Sequence, residues 1–247
     1  SDPSVISTVA TPDGDGYIVN GRKTFISHAE VADVVGFIAK VKDGPTAFLV
    51  DKGTPGFEVT RREARLGLRS VPVNEFVLIN CKLPKENVIG AEAKGLGVAI
   101  TSISVMGRTG AAGVALGTAI GAYEAALKFC KERVLYGKPI ASLQAIQFAL
   151  ADMNTEIEAA RWLCYYPVWA LDQGKNPREV SADIARSKLY AVDMAIRTCT
   201  KAVQIMGGYG LSPEYQVERR LRDALELLPA AGTQEIMRVT IGSTITR

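Results

Sequence analysis

Four short segments carry the residue types best able to do chemistry: an aromatic face, a small hydroxyl, a guanidinium and bare glycine backbone. In Lys23-Thr24-Phe25-Ile26-Ser27 an aromatic face and a small hydroxyl alternate along a strand-like run. Phe25 offers a planar apolar surface, and Ser27 can donate a hydrogen bond beside it. The same alternation also describes an ordinary half-buried strand. Arg133-Val134-Leu135-Tyr136-Gly137-Lys138-Pro139-Ile140 carries a guanidinium, which grips phosphate oxygens bidentately and keeps its charge when desolvated. Read blandly, Arg133 is a cation favourably placed near a helix C-terminus. Gln204-Ile205-Met206-Gly207-Gly208-Tyr209-Gly210 closes a helical pattern with a glycine-rich turn. Such a turn serves as a helix cap with positive φ, and it also lets backbone donors approach phosphate. Gly232-Thr233 opens a last short helix, whose orphan N–H groups favour an anion.

Other residues carry weaker signals. Arg108 lies in an apolar, helical stretch, where a lone guanidinium is costly and implies an acceptor. His28 is the single histidine and reads as a local hydrogen-bonding residue with no assigned role. Arg222-Asp223 reads as a structural ion pair. Cys81, Cys130, Cys164 and Cys199 are far apart, without C-x-x-C spacing, so neither zinc nor a disulfide framework is expected; the sequence predicts no metal. A formal charge of +3 without a Lys/Arg cluster excludes a nucleic-acid partner. Residues 96–123 are the most apolar stretch, but Arg108 near its centre and several glycines predict a packed helix rather than a membrane span.

The elements that must position these residues fall into two halves. Residues 1–92 read as β, with runs at Val5–Val9, Tyr17–Val19, Val34–Val41, Ala47–Val50, Gly56–Thr60 and Glu75–Ile79. Turn signals separate the runs, and Asn20-Gly21 predicts a type I′ hairpin. From 93 to 247 the period becomes helical: Ile146, Leu150, Met153, Ile157, Ala160 and Cys164 form one apolar stripe. Three long helices followed by two short ones are expected. The first, roughly 97–131, is rich in Gly and Ala, which predicts close backbone approach. The fold class is α+β: an antiparallel β-sandwich or barrel, then an antiparallel four-helix-type bundle.

In this order the motifs resemble those of the acyl-CoA dehydrogenase family. The C-terminal part, Gln204 to Gly210, then Arg222-Asp223-Ala224, then Gly232-Thr233-Gln234-Glu235-Ile236-Met237-Arg238, is similar to the family's closing segment. Lys23–Ser27 is similar to its K-x-W-I-T/S strand, with Phe25 in place of Trp, and Arg133–Ile140 to its E-R-x-x-F-G-x-P-I motif. The resemblance implies FAD, α,β-dehydrogenation of an acyl-CoA, and a middle β domain joined to a C-terminal helical domain. An N-terminal helical domain is expected upstream. Phe25 and Ser27 would then lie at the flavin ring. Arg133, Tyr136, Gln144, Gln204, Gly207 and Gly208 would serve its diphosphate and adenosine half, partly across a subunit interface. Thr233 and Glu235 would complete the flavin site, while Ser1 and Arg108 would lie toward the thioester and CoA. It further implies a homo-oligomer or a homologous partner subunit, an electron-transfer flavoprotein as electron acceptor, and a bacterial cytoplasm rather than a mitochondrial matrix.

One departure stands out. The family's usual base, a glutamate, aligns with Ala231, and its alternative position aligns with Gly107. Neither can accept a proton. Four explanations are open: a base from the N-terminal domain, a non-catalytic subunit paired with an active homologue, a substituted variant, or another acid such as Glu226 or Glu235.

Overall fold

The computed structural model describes Asp2 and residues 5–246. It divides into two compact units, one of residues 1–65 and 69–102, the other of residues 66–68 and 103–247.

Among the described residues the first unit is built on one seven-stranded sheet. Its strands are β1 (Val9–Asp13), β2 (Gly16–Ser27), β3 (Val34–Val41), β4 (Gly44–Asp51), β5 (Phe57–Arg62), β6 (Val73–Pro84) and β7 (Val88–Ile89), in the order β5-β6-β2-β1-β3-β4-β7. All neighbours are antiparallel except β1 and β3. Phe37 of β3 and Phe76 of β6 have ring centroids 6.2 Å apart. Those strands are three places apart in the sheet, about 14 Å at ordinary strand spacing. The sheet therefore curls over an aromatic core of Tyr17, Phe37, Phe48 and Phe76, as the sandwich or barrel reading expects.

Two local expectations fail. The run Val5–Val9 is strand only at Val9; β1 instead extends through Pro12-Asp13, and the turn shrinks to Gly14-Asp15. Asn20-Gly21 is no hairpin. It lies inside β2, at a bulge opposite β6. A Cβ on Gly21 would sit 2.7 Å from Thr8 Cα, so the glycine is needed for close approach rather than for reversal.

Residue 95 begins a long helical run: α1 (Gly95–Ser102), a π-helical segment Ile103–Arg108, then α2 (Thr109–Glu132). The domain boundary expected at 92/93 falls just before α1. Gly95 packs so tightly under Ala47 of β4 that no Cβ fits, and α1 accordingly clusters with the sheet. The whole run is long and apolar enough to cross a membrane, but α2 uses its apolar face for packing.

The second unit continues with α3 (Gln144–Asp172), α4 (Ser181–Met206), α5 (Val217–Glu226) and α6 (Gln234–Ile245). Its core joins an alanine stripe of α2 (Ala112, Ala115, Ala119, Ala122, Ala126) to Ala191, Ala195 and Ala202 of α4. The close approach belongs to the alanines. Gly110, Gly113 and Gly117 meet nothing within 4 Å of a would-be Cβ, whereas Gly121 is closed off by Arg220. The four cysteines are buried and unpaired; burial pushes the Cys164 thiol up to about 11 and Cys199 to about 12.

Arg222 and Asp223 do not pair with each other, contrary to the sequence reading. Arg222 Nε donates to Glu218 at 2.7 Å and its Nη1 to Leu66 O at 2.9 Å. Asp223 accepts from Leu68 N at 2.6 Å. Adjacent helical residues point in different directions, so they grip one segment from two sides. Two substitutions separate these glycine roles in a urea-unfolding series: Gly21→Ala is expected to lose about 2 kcal/mol through overpacking, and Gly113→Ala to gain about 0.5–1 kcal/mol of helix stability.

Candidate functional site

The sheet unit presents the first group. Phe25 has φ +56° and is 72% exposed, at a second bulge of β2 between Lys23 and Ile26. His28 follows at φ +64°, with its N–H donated to Pro72 O at 2.8 Å. A non-glycine residue in the left-handed region costs about 1–2 kcal/mol, and an exposed aromatic ring recovers none of it by burial. Ser27, between the two, still pairs with Val73 of β6 and is exposed. Behind this strand end, buried Asn74 donates to Glu30 Oε2 at 2.8 Å and accepts from Glu30 N at 3.2 Å. Arg62 pairs with the same carboxylate at 3.1 Å. A hydrogen-bonded base thus lies behind a strained, outward-facing aromatic and its neighbouring hydroxyl.

The helical unit presents two further groups. At one end, Arg133 caps α2 through its N–H to Phe129 O, and its guanidinium lies 5.6 Å over the Tyr209 ring. Tyr209 packs on Phe129 and Tyr215. Gly207 ends α4 at φ +58°, ψ −135°, a conformation open to glycine. Gly207 and Gly208 would meet nothing within 4 Å of an added Cβ, so the backbone there is bare. Gln204 accepts from Lys201 at 3.4 Å. Tyr136, at φ +53° and 88% exposed, tips the hairpin β8 (Val134–Leu135) and β9 (Lys138–Pro139). Gln144 is the exposed first residue of α3. This end offers a cation, bare backbone and exposed rings, a set suited to a nucleotide diphosphate.

The second helical group surrounds the turn before α6. Ala231 has φ +53° and Gly232 φ +106°. A Cβ on Gly107 would lie 3.1 Å from the Ala231 Cβ, so the two positions face each other directly. Arg108, half-buried, donates from Nε to Ala231 O at 3.4 Å, and burial lowers its guanidinium pKa. The acceptor implied for Arg108 by the sequence is this carbonyl. Thr233 caps α6 by accepting from Ile236 N at 3.4 Å. The exposed Glu235 carboxyl is held below the usual range by a backbone N–H, then by Thr233. Glu226 is committed to Gly67 N at 3.0 Å. Ser1 lies outside the described residues.

Two features of this group escape the sequence reading. The π-helical segment places Gly107 and Arg108, and nothing in residue types announces it; π segments often mark functional positions. Lys188 is the other. It occupies a stripe position of α4 between Ile184 and Val192 and is fully buried. A lysine at an apolar stripe position was the available signal.

Comparison with known proteins identifies the arrangement. Residues 1–81 match the acyl-CoA dehydrogenase middle domain, and residues 93–246 match the acyl-CoA dehydrogenase C-terminal domain. The chain is 41% identical over its full length to a short-chain-specific acyl-CoA dehydrogenase of Megasphaera elsdenii, of which it covers 65%. It is 38% identical over 98% of its length to the CarC subunit of the caffeyl-CoA reductase-Etf complex of Acetobacterium woodii, covering 64% of it. The structure of butyryl-CoA dehydrogenase from Megasphaera elsdenii superposes with a TM-score of 0.95 at 38% identity, over 100% of this chain and 67% of that one. The chain belongs to the acyl-CoA dehydrogenase family. It spans about two thirds of the length of these relatives.

The strain at Phe25 gives a direct test. Phe25→Gly is expected to raise unfolding stability by about 1 kcal/mol in chemical denaturation, an increase that an unstrained, merely structural position would not show.

Proposed function

We propose that the protein is an FAD-dependent acyl-CoA dehydrogenase acting by α,β-dehydrogenation of an acyl-CoA thioester. The observation that carries this reading is Phe25, an aromatic ring kept exposed in a costly conformation beside the Ser27 hydroxyl. The residues fit the cofactor: bare glycine backbone with no Cβ contact at Gly207 and Gly208, an Arg133 guanidinium beside it, and a planar face at Phe25. FAD, when bound, would supply a hydride acceptor at N5.

The chain's own residues then have distinct tasks. Phe25 would pack on the ring and Ser27 would donate to it. Arg133, Gln204, Gly207 and Gly208 hold the diphosphate, with Tyr136 and Gln144 on the adenosine side. Thr233 and Glu235 complete the flavin site, while Ser1 and Arg108 serve the thioester. The two helical groups meet α4 at Lys188 and at Gly207. Lys188 and Gly207 are nineteen positions apart, about 28 Å at 1.5 Å per residue. One copy cannot bring both groups to the same part of one nucleotide, so the diphosphate group acts on the flavin of a second copy or of a homologous subunit. An electron-transfer flavoprotein takes the electrons, as the Etf-complex relative suggests. A bacterial cytoplasm is the proposed setting, the relatives being bacterial.

The proton must go to a carboxylate outside positions 231 and 107. Glu226 is already bonded to Gly67, and Glu235 is held by its helix N-terminus and by Arg238 at 3.8 Å. These engagements favour a base supplied from outside these two units. The facing pair Gly107 and Ala231, both without a proton acceptor, favours one second reading: a non-catalytic, flavin-binding subunit of a heteromeric dehydrogenase.

Anaerobic titration of the full-length, flavin-loaded protein with a panel of acyl-CoAs separates the two. Loss of the visible flavin absorbance without a partner subunit supports the enzyme; retained absorbance with every acyl-CoA supports the subunit. In the same protein Arg133→Met is expected to weaken FAD binding about tenfold to a hundredfold, read by flavin release, because a charge-assisted phosphate contact is lost.

A further inference from the structure

Lys188 is completely enclosed, and its ammonium donates all three protons: to Leu228 O at 2.8 Å, Gly232 O at 2.9 Å and Gln234 Oε1 at 2.9 Å. Every one of these acceptors is neutral. An enclosed ammonium is a poor way to fill volume, because a methionine would pack there without the desolvation penalty. The position of the acceptors is informative. Leu228 and Gly232 bracket position 231, and Gln234 begins α6. Arg108 takes the remaining carbonyl of the set, Ala231 O. Carbonyls 228, 231 and 232 are thus turned toward two cations, in a turn where Ala231 and Gly232 have positive φ. Gln234 in turn donates to Leu189 O at 3.1 Å and Asp193 Oδ1 at 2.7 Å, which ties the arrangement back to α4.

We propose that Lys188 is a positioning residue: its ammonium selects the left-handed conformation of the 228–232 turn and so fixes where side chain 231, Thr233 and Glu235 are presented. The turn geometry stands without any cofactor. Only its consequence for flavin rests on the reading above.

The charges acting on this ammonium are Asp193 on its own helix, Glu235 on α6 and Arg108 on the π-helical segment. Arg238 of α6 lies 3.8 Å from both Asp193 and Glu235, and on α5 Asp223 and Glu226 are engaged with Leu68 and Gly67. Burial outweighs the two carboxylates and brings the Lys188 pKa down to about 8. Because folding weakens proton binding here, this group's contribution to global stability rises with pH between about 8 and the unfolded value of about 10.4. The turn responds in the opposite sense. A neutral amine has two donors instead of three, so one carbonyl loses its partner as the proton leaves.

Hydrogen exchange read by mass spectrometry on the 226–238 segment tests this at pH 7 and pH 9, corrected for the intrinsic rate. The informative amides are Leu228, bonded to Leu225 O, Ile236, bonded to Thr233 Oγ1, and Met237, bonded to Thr233 O. In the wild type their protection is expected to fall about tenfold from pH 7 to pH 9, while the α2 and α4 core does not lose protection. Lys188→Met should exchange fast at both pH values. Lys188→Arg, which stays charged, should restore slow exchange at both. Turn protection that is flat with pH in the wild type, or unchanged in Lys188→Met, overturns the proposal. The wild-type profile decides even where Lys188→Met does not fold. Flavin absorbance of the same samples reports separately: a protein without FAD that still shows the pH-dependent turn sinks the cofactor reading and leaves this one standing.

Discussion

The crowding of α4 is the constraint on which the helical unit depends. This helix is buried over most of its circumference, with Ala182, Ala185, Ala191, Ala195 and Ala202 at or near zero exposure. Small side chains let α2, α3, α5 and α6 all come against it. Burial of this kind is favourable for methyl groups and unfavourable for charge. The Lys188 ammonium admitted into that packing is therefore matched donor for acceptor. Because α4 is so tightly held, what it carries is held as well: the glycine turn at its C-terminus and, through Lys188, the turn before α6.

Much of this was legible in the sequence. The apolar stripe of α3 and the change of period both follow from hydrophobic spacing. Burial of Cys164 followed from its place in the α3 stripe. The glycine turn after Met206 behaves as the residue types require, with Gly207 at positive φ. The strands were found, but their ends were not. Pro12-Asp13 and Asn20-Gly21 carry turn chemistry, yet pairing with β2 and β6 overrides it. Local signals describe what a dipeptide tolerates, and a neighbouring strand decides what it does.

The site was less legible, for reasons that differ by residue. Phe25 and Ser27 were visible as types, but the left-handed backbone that turns the ring outward was not, since it arises from a bulge against β6. Arg108 was recognised as needing an acceptor, and only the fold reveals that this is a main-chain carbonyl. Arg222 and Asp223 were read as partners because they are adjacent; on a helix adjacent residues diverge. Lys188 was overlooked because a lysine among alanines invites the assumption that it reaches solvent.

The length of α4 has an evolutionary consequence. Deleting one residue from a helix shortens it by 1.5 Å and also swings everything beyond the deletion through about 100° around the axis. Such a change between Asp193 and Gly207 would turn the glycine corner away from Arg133 and Phe129 while leaving the α6 junction intact. Descendants of this sequence can vary loop lengths on either side of α4. Within it they are confined to substitutions, so the helix acts as a gauge block that keeps the two turns in phase.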